Sequence, residues 1–315
     1  MNSPTTAPAK NILAVVDPTA NMQPAVDKAS RLAKEWNAAL ELFICDYRPG
    51  LEAPTAAKAR DALLEHRLAA LMALAEPLRK QGLRVATDAS FDNPLHEGLL
   101  RKIAASHADL VVKDTHYHNL LRRTIITNTD WQLIRHCAPP LLLVKPTHWS
   151  STPRTLAAID PGHAGDKPAV LDHAICEWSA QLARALQGEA HAVHMYFPES
   201  LLVSGMVGGG LPGTPIGNEQ SLIEQERQAR LQQVYDVTTA HGIPHERTRL
   251  MLGTAIELLT EEAERVRTDI VVMGAVSRSR LKNLFIGSTA ERVLDHLPCD
   301  ILVVKPLEFS SDLPF

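Results

Sequence analysis

Residues 269–305 read DIVVMGAVSRSRLKNLFIGSTAERVLDHLPCDILVVK, and the order of elements in this stretch decides the fold. Ile270 to Met273 form a short continuous apolar run, the pattern of a parallel strand covered on both faces. Gly274 ends it. A loop from Ala275 to Gly287 carries Arg278, Arg280 and Lys282, and Ser288-Thr289-Ala290-Glu291 then has the form of a capping box opening a helix. Ile301 to Val304 form a second buried strand. A glycine at a strand's carboxyl end, and a glycine-serine pair at a helix N-terminus, leave bare backbone and free N–H donors of the kind a phosphate chain uses.

Working outward, the same stretch has an earlier copy. Between 109–146 and 269–306 a gapless offset of 160 pairs Asp109, Val111, Val112, Leu121, Ile126, Thr129, His136, Lys145 and Pro146 with identical residues. Asp17-Pro18 and Asp160-Pro161, each closing an apolar run, are related by an offset of 143. An internal duplication accounts for both. The 17 residues by which the offsets differ are placed by composition in the glycine- and proline-rich stretch 200–220. The copies then divide as a first domain, 1–148, and a second, 149–315, joined near the short polar stretch PTHWSSTP at 146–153.

Within the first copy the periodicities predict strands at 11–17, 39–46, 83–89, 109–113 and 141–144. Helices are expected near 24–37, over 55–80 with Pro77 kinking or shortening the last turn, from Asn93-Pro94, and from Asn128 as cap to about His136. The alternation β-α-β-α-β-α-β-α-β specifies a doubly wound parallel sheet. The fold class is therefore α/β, two tandem doubly wound parallel five-stranded sheets. One merged sheet, or a side chain plugging the crevice beside residues 274 and 287, would overturn head-to-tail duplication with an open second copy.

The chain has 315 residues, 45% of them hydrophobic, and a net charge of −4, so it has material for two cores and no global attraction for nucleic acid or anionic membrane. Residues 1–150 carry 18 basic against 15 acidic side chains, a charge of +3, and the remainder carries −7. Opposite signs favour association of the halves. Cys45, Cys137, Cys176 and Cys299 have no CxxC spacing and apolar neighbours, which predicts buried reduced thiols. No stretch approaches a membrane span and the N-terminus lacks a signal-peptide pattern, so a cytoplasmic location is expected.

The loop around Gly274, Ser277, Gly287 and Ser288 resembles the G-x2-G-x9-G-S/T pattern of nucleotide-binding universal stress proteins, with Ser277 standing where that pattern has its second glycine. Val16-Asp17-Pro18 and Thr127-Asn128-Thr129-Asp130-Trp131 with Arg135 resemble the first half of the tandem, two-domain type. The resemblance implies a fold like the adenine nucleotide alpha hydrolases, sheet order 3-2-1-4-5, and pairing of the copies through their fifth strands as an intramolecular pseudo-dimer. It also implies that Asp160, Met195, Met273 and Gly274 enclose a base and sugar, while Gly274, Ser277, Gly287, Ser288 and Thr289 meet phosphates. The ligand would be ATP or another adenine nucleotide, with Mg2+ accompanying it, and the role one in stress survival.

In the first copy the aligned positions are Asp114, Tyr117, Thr127 and Asn128. No glycine remains, and Asp114 would repel a phosphate, so this copy is read as a degenerate domain. Of the fourteen histidines, His116 and His118, with His96 and His107 nearby in sequence, fall short of the three or four ligands a zinc site needs, and no metal site is predicted. His191 and His194, three apart on a strand, lie on opposite faces, and the resemblance implies a packing role for His194. The literal G-x-G-x-x-G at Gly208–Gly213 lacks a leading strand and is followed by Pro215, so it is a chance match. No acid-base pair or activated nucleophile is evident, so activity beyond slow ATP hydrolysis is not expected. Two readings stay open: a nucleotide-binding module in the second domain, or an interaction protein without nucleotide, acting on an unidentified protein partner through the fused-pair surface, with further homodimerisation possible.

Overall fold

The computed structural model describes residues 8–118, 123–161, 170–197, 219–275, 294, 296–306 and 309. Unit one runs β1 (Asn11–Val15), α1 (Pro24–Trp36), β2 (Ala39–Asp46), α2 (Ala57–Lys80), β3 (Val85–Phe91), α3 (Leu95–Ser106), β4 (Leu110–Asp114), a short hairpin of β5 (His116–His118) and β6 (Arg123–Ile125), α4 (Asn128–His136) and β7 (Leu141–Val144). Unit two runs β8 (Arg154–Ala158), α5 (Val170–Ala185), β9 (Glu189–Tyr196), α6 (Glu219–Thr239), β10 (Thr248–Leu252), α7 (Ala255–Val266), β11 (Ile270–Gly274) and β12 (Asp300–Val304).

The strands form one sheet in the order β3-β2-β1-β4-β7-β12-β11-β8-β9-β10. Each half keeps the order 3-2-1-4-5, parallel throughout. At the seam β12 runs antiparallel to β7, with Ile301 opposite Leu143 and Val303 opposite Leu141. The strands are thus merged, which the sequence reading counts against duplication. The objection fails because polarity reverses at the seam and nowhere else in the sheet, as it must when two copies of a parallel unit meet through the same edge. Every residue of β7 and β12 is buried, so pairing also satisfies two rows of backbone groups that water could not reach.

Helices cover both faces. α1, α2, α5 and α6 pack on one side, through residues such as Leu32, Leu71, Leu182 and Val234. α3, α4 and α7 pack on the other, through Leu99, Leu133 and Leu259. Each core is continuous across the seam, where Trp36 of α1 meets Trp178 of α5 edge-on at 6.2 Å. All four cysteines are free and buried.

Local departures from the sequence expectation have physical reasons. α2 continues through Pro77 to Lys80, although a proline there gives up the hydrogen bond its N–H would make to the carbonyl four residues back. The cap of α4 is Thr127, not Asn128: Thr127 and Asp130 close a reciprocal capping box. Pro94 occupies the cap position of α3, so Asn93 is one residue too early for that role. β3 lies about two residues later than expected. Ser288 and Glu291, and the stretch 200–220 up to 218, lie outside the described residues.

Candidate ligand crevice

In unit two the carboxyl ends of β8, β9 and β11 lie side by side, since Met273 pairs with Ala158 and Ala158 with Val193. Four expected site residues therefore come together at one end of the sheet: Asp160 just past β8, Met195 near the end of β9, and Met273 with Gly274 closing β11. This is the end where open α/β sheets hold ligands. Met195 and Met273 are partly buried on the α7 face beside Met251 and Ala275, a polarizable apolar floor. Ser277, Gly287, Ser288 and Thr289, with Arg278, Arg280 and Lys282, lie outside the described residues.

Gly274 is accounted for by packing. A Cβ built on it would lie 2.7 Å from Leu171 Cδ2 and 3.2 Å from Ile175 Cδ1, so the missing side chain lets α5 settle against β11. Its bare Cα therefore faces the α5 side, while Met273 packs on the α7 side.

Asp160 is held through its backbone, whose N–H donates to Asp172 Oδ1 at 2.9 Å. Its carboxylate is 38% exposed, enough to meet a ligand, and its Oδ1 lies 3.6 Å from His194 Nδ1. That nitrogen instead sits 3.0 Å from the Ile159 carbonyl, to which it donates. Burial pushes the fully enclosed His194 below the usual histidine range, against the pull of Asp160. A neutral, packed ring results, and the packing role is the one the family resemblance implies. Asp172, 2% exposed, was missed by the sequence reading. The signal available was an acidic residue in the first turn of an apolar helix, a position that favours negative charge.

The equivalent place in unit one is filled by its own charges. Asp114 stands where unit two has Gly274, and its Oδ1 accepts from Ala25 N at 2.6 Å, at the start of α1. Lys113 stands where unit two has Met273, and its Nζ is 2.7 Å from Asp130 Oδ1. Burial raises the Asp114 carboxyl to about 7, with Asp17 adding to the shift and the Ala25 N–H, Lys113 and Lys28 opposing it. Asp114 Oδ2 is buried with no hydrogen-bond partner. An anion entering here would meet the Lys113–Asp130 ion pair and the Asp114 carboxyl group.

A cavity of about 520 Å³ in unit one is lined by Leu40, Glu41, Arg84 and Val85. It opens at the amino end of the strands, away from the crevices. Among the described residues no group of three or more His, Cys, Asp or Glu is arranged to hold a metal ion, and no helix is long and apolar enough to cross a membrane.

Comparison with known proteins matches two stretches, 8–145 and 154–305, to the Universal stress protein family. Universal stress protein E of Salmonella typhi is 28% identical over 317 aligned positions, covering 96% of each chain. The protein of that name from Escherichia coli K12 is 27% identical with the same coverage. Among solved structures, a putative universal stress protein from Pseudomonas aeruginosa UCBPP-PA14 aligns with a TM-score of 0.71 at 24% identity, over 95% of this chain and 94% of that one. A universal stress protein from Archaeoglobus fulgidus aligns at 0.68 and 14%, over 94% and 98%. These two likenesses bear on the fold.

Proposed function

Because the chain belongs to the universal stress protein family, which supports a stress-related role, we propose that unit two is its ligand-binding half and takes an adenine nucleotide. The observation that carries this reading is the contrast between the two crevices. Where unit one places Lys113 and Asp114 in a buried charge network, unit two has Met273 and Gly274 beside a part-exposed Asp160. Met195 and Met273 offer an apolar surface to a base, and Asp160 an acceptor for a ribose hydroxyl or an adenine amine.

The described residues fit the base and sugar. Phosphates, with Mg2+ bridging them, would fall to Ser277, Gly287, Ser288 and Thr289 on the pattern of the sequence. The experiment is calorimetric titration of ATP with Mg2+ into the purified chain. One ATP per chain, lost on Asp160→Ala, supports the reading; no heat and no change in melting temperature at millimolar ATP overturns it.

A second reading has one observation in its favour. Gly274 is required by Leu171 and Ile175 whether or not a ligand exists, so its presence does not by itself argue for phosphate. In that case the chain is a cytoplasmic interaction protein, with or without further self-association, working through its fused-pair surface on a protein partner. Capture of a folded partner with affinity indifferent to ATP distinguishes it.

A further inference from the structure

Beside the crevice, α5 carries a hydrogen-bonded relay that nucleotide binding does not use. Glu177 is buried, its Oε1 accepting from Gln181 Nε2 at 2.9 Å, and its Oε2 lies 2.8 Å from Nδ1 of His241. The other nitrogen of that ring, Nε2, is 3.0 Å from Nδ1 of His173. The two imidazoles stand 5.2 Å apart between centroids with 56° between their planes. His241 is buried and His173 half-buried.

Counting hydrogens fixes what this relay can hold. Facing a carboxylate, His241 Nδ1 carries its hydrogen. Between His241 Nε2 and His173 Nδ1 there is room for one more. With both rings neutral, His173 donates to His241; with one charge on the pair, whichever ring is cationic donates to the neutral one. If both rings are cationic, each facing nitrogen bears a hydrogen and the contact turns repulsive.

We propose that the His173–His241 pair is a proton-sensitive latch that regulates the unit-two crevice: the proton that makes both rings cationic parts them and frees the first turn of α5. That turn matters because of its neighbours. Asp172, one residue before His173, accepts the Asp160 N–H, and Leu171, one before that, lies against Gly274. The consequence for ligand affinity rests on the nucleotide reading, whereas the latch itself does not.

The charged and titratable groups around the pair set its sign. On α5 these are Asp172, Glu177 and Arg184, the last 3.4 Å from Glu177. From the turn after α6 comes His241 itself, with His245 stacked on Tyr235 nearby in the chain. Behind them on β9 lies His194, in the field of Asp160, Asp172 and of Arg230 from α6. Burial and then His241 press His173 below the usual histidine range, and Asp172 opposes them. The latch is thus closed at neutral pH and opens only below the ordinary histidine pKa of about 6.5.

The test is an NMR titration from pH 8 to 5 of the full chain with ¹⁵N-labelled histidine rings and backbone, repeated on His173→Gln, whose amide can still donate to His241. The expected result is coupled titration of the two rings, with the Asp160 amide shifting in step, and no such shift in His173→Gln. Independent titration of the rings, or an Asp160 amide that moves equally in the variant, overturns the latch. Alongside, Mg-ATP affinity is measured at pH 7.5 and 5.5. The loss on acidification should be on the order of fivefold greater in the wild type than in His173→Gln; the ligand's own phosphate titration, near pH 6, cancels in that comparison. Equal losses overturn the regulatory claim. No binding at either pH overturns the nucleotide reading instead, and the Asp160 amide still decides the latch.

Discussion

Lys28 Nζ and Asp300 Oδ2 lie 2.6 Å apart across the seam, with side-chain exposures of 7% and 0%. Lys28 belongs to α1 of unit one and Asp300 opens β12 of unit two. The same carboxylate accepts from Lys145 N at 2.9 Å and from Trp149 Nε1 at 2.7 Å, while Lys28 Nζ also donates to the Lys145 carbonyl at 2.9 Å. One buried anion thus ties together a helix of the first copy, the end of its last strand, the connecting segment and the last strand of the second copy. The offset of 160 puts Pro140 at the corresponding place in unit one, so this lock exists on one side of the pseudo-dyad only. A more symmetric pair accompanies it: Lys145 Nζ donates to the Leu297 carbonyl, and Lys305 Nζ to the Arg135 carbonyl.

Removing one member of the lock strands the other in the interior. Lys28→Met should cost about 3–5 kcal/mol, and Asp300→Asn less, because an amide oxygen can keep the Lys145 or Trp149 hydrogen bond. Lys28→Met/Asp300→Leu should cost less than the sum of the separate changes to Met and Leu. Urea denaturation of the four variants measures this; strict additivity would mean the two groups do not interact.

Gly274→Ala tests whether that glycine serves packing. The added methyl meets Leu171 Cδ2 at 2.7 Å, and such overpacking typically costs about 1–3 kcal/mol. Leu171→Val in the same chain should recover part of the loss. A thermal melt in which Gly274→Ala is as stable as wild type, with no help from Leu171→Val, would remove the packing explanation.

Asp114 gives a pH dependence with a definite sign. Its folded pKa of about 7 is above the unfolded value of about 3.9, so the folded state holds the proton more tightly. Its contribution is present in full below pH 4 and is lost as pH rises towards and through 7. Asp114→Asn should therefore gain on the wild type as pH rises from 4 to 8, by an amount bounded by the shift at about 4 kcal/mol. Urea midpoints at those pH values decide it. A difference that stays constant would show that Asp114 is ionised throughout.

Much of this was legible in residue order. Apolar runs such as Ile270–Met273, short and closed by Gly274, fit strands buried on both faces, and the alternation with helices pointed to parallel winding. The Lys145-Pro146 and Lys305-Pro306 echo exposed the duplication. What was not legible was contact between residues far apart in sequence: nothing in the chain pairs Lys28 with Asp300, and a glycine at 274 reads equally as phosphate cradle or helix seat until Leu171 is seen against it. The short β5–β6 hairpin was missed because three residues per strand carry no periodicity. Asp172 was missed because its one signal, an acidic residue in a helix's first turn, does not say which backbone N–H it holds.

The central claim, that the second copy keeps an open crevice and the first has closed its own, is tested most directly by counting ligands. Native mass spectrometry of the chain with Mg-ATP should show one nucleotide per chain for the wild type, a stronger complex for Ser277→Gly, and none for Gly287→Val or for Met273→Lys, which copies the unit-one residue into unit two. Two nucleotides per wild-type chain, or one that survives undiminished in both Gly287→Val and Met273→Lys, would contradict it.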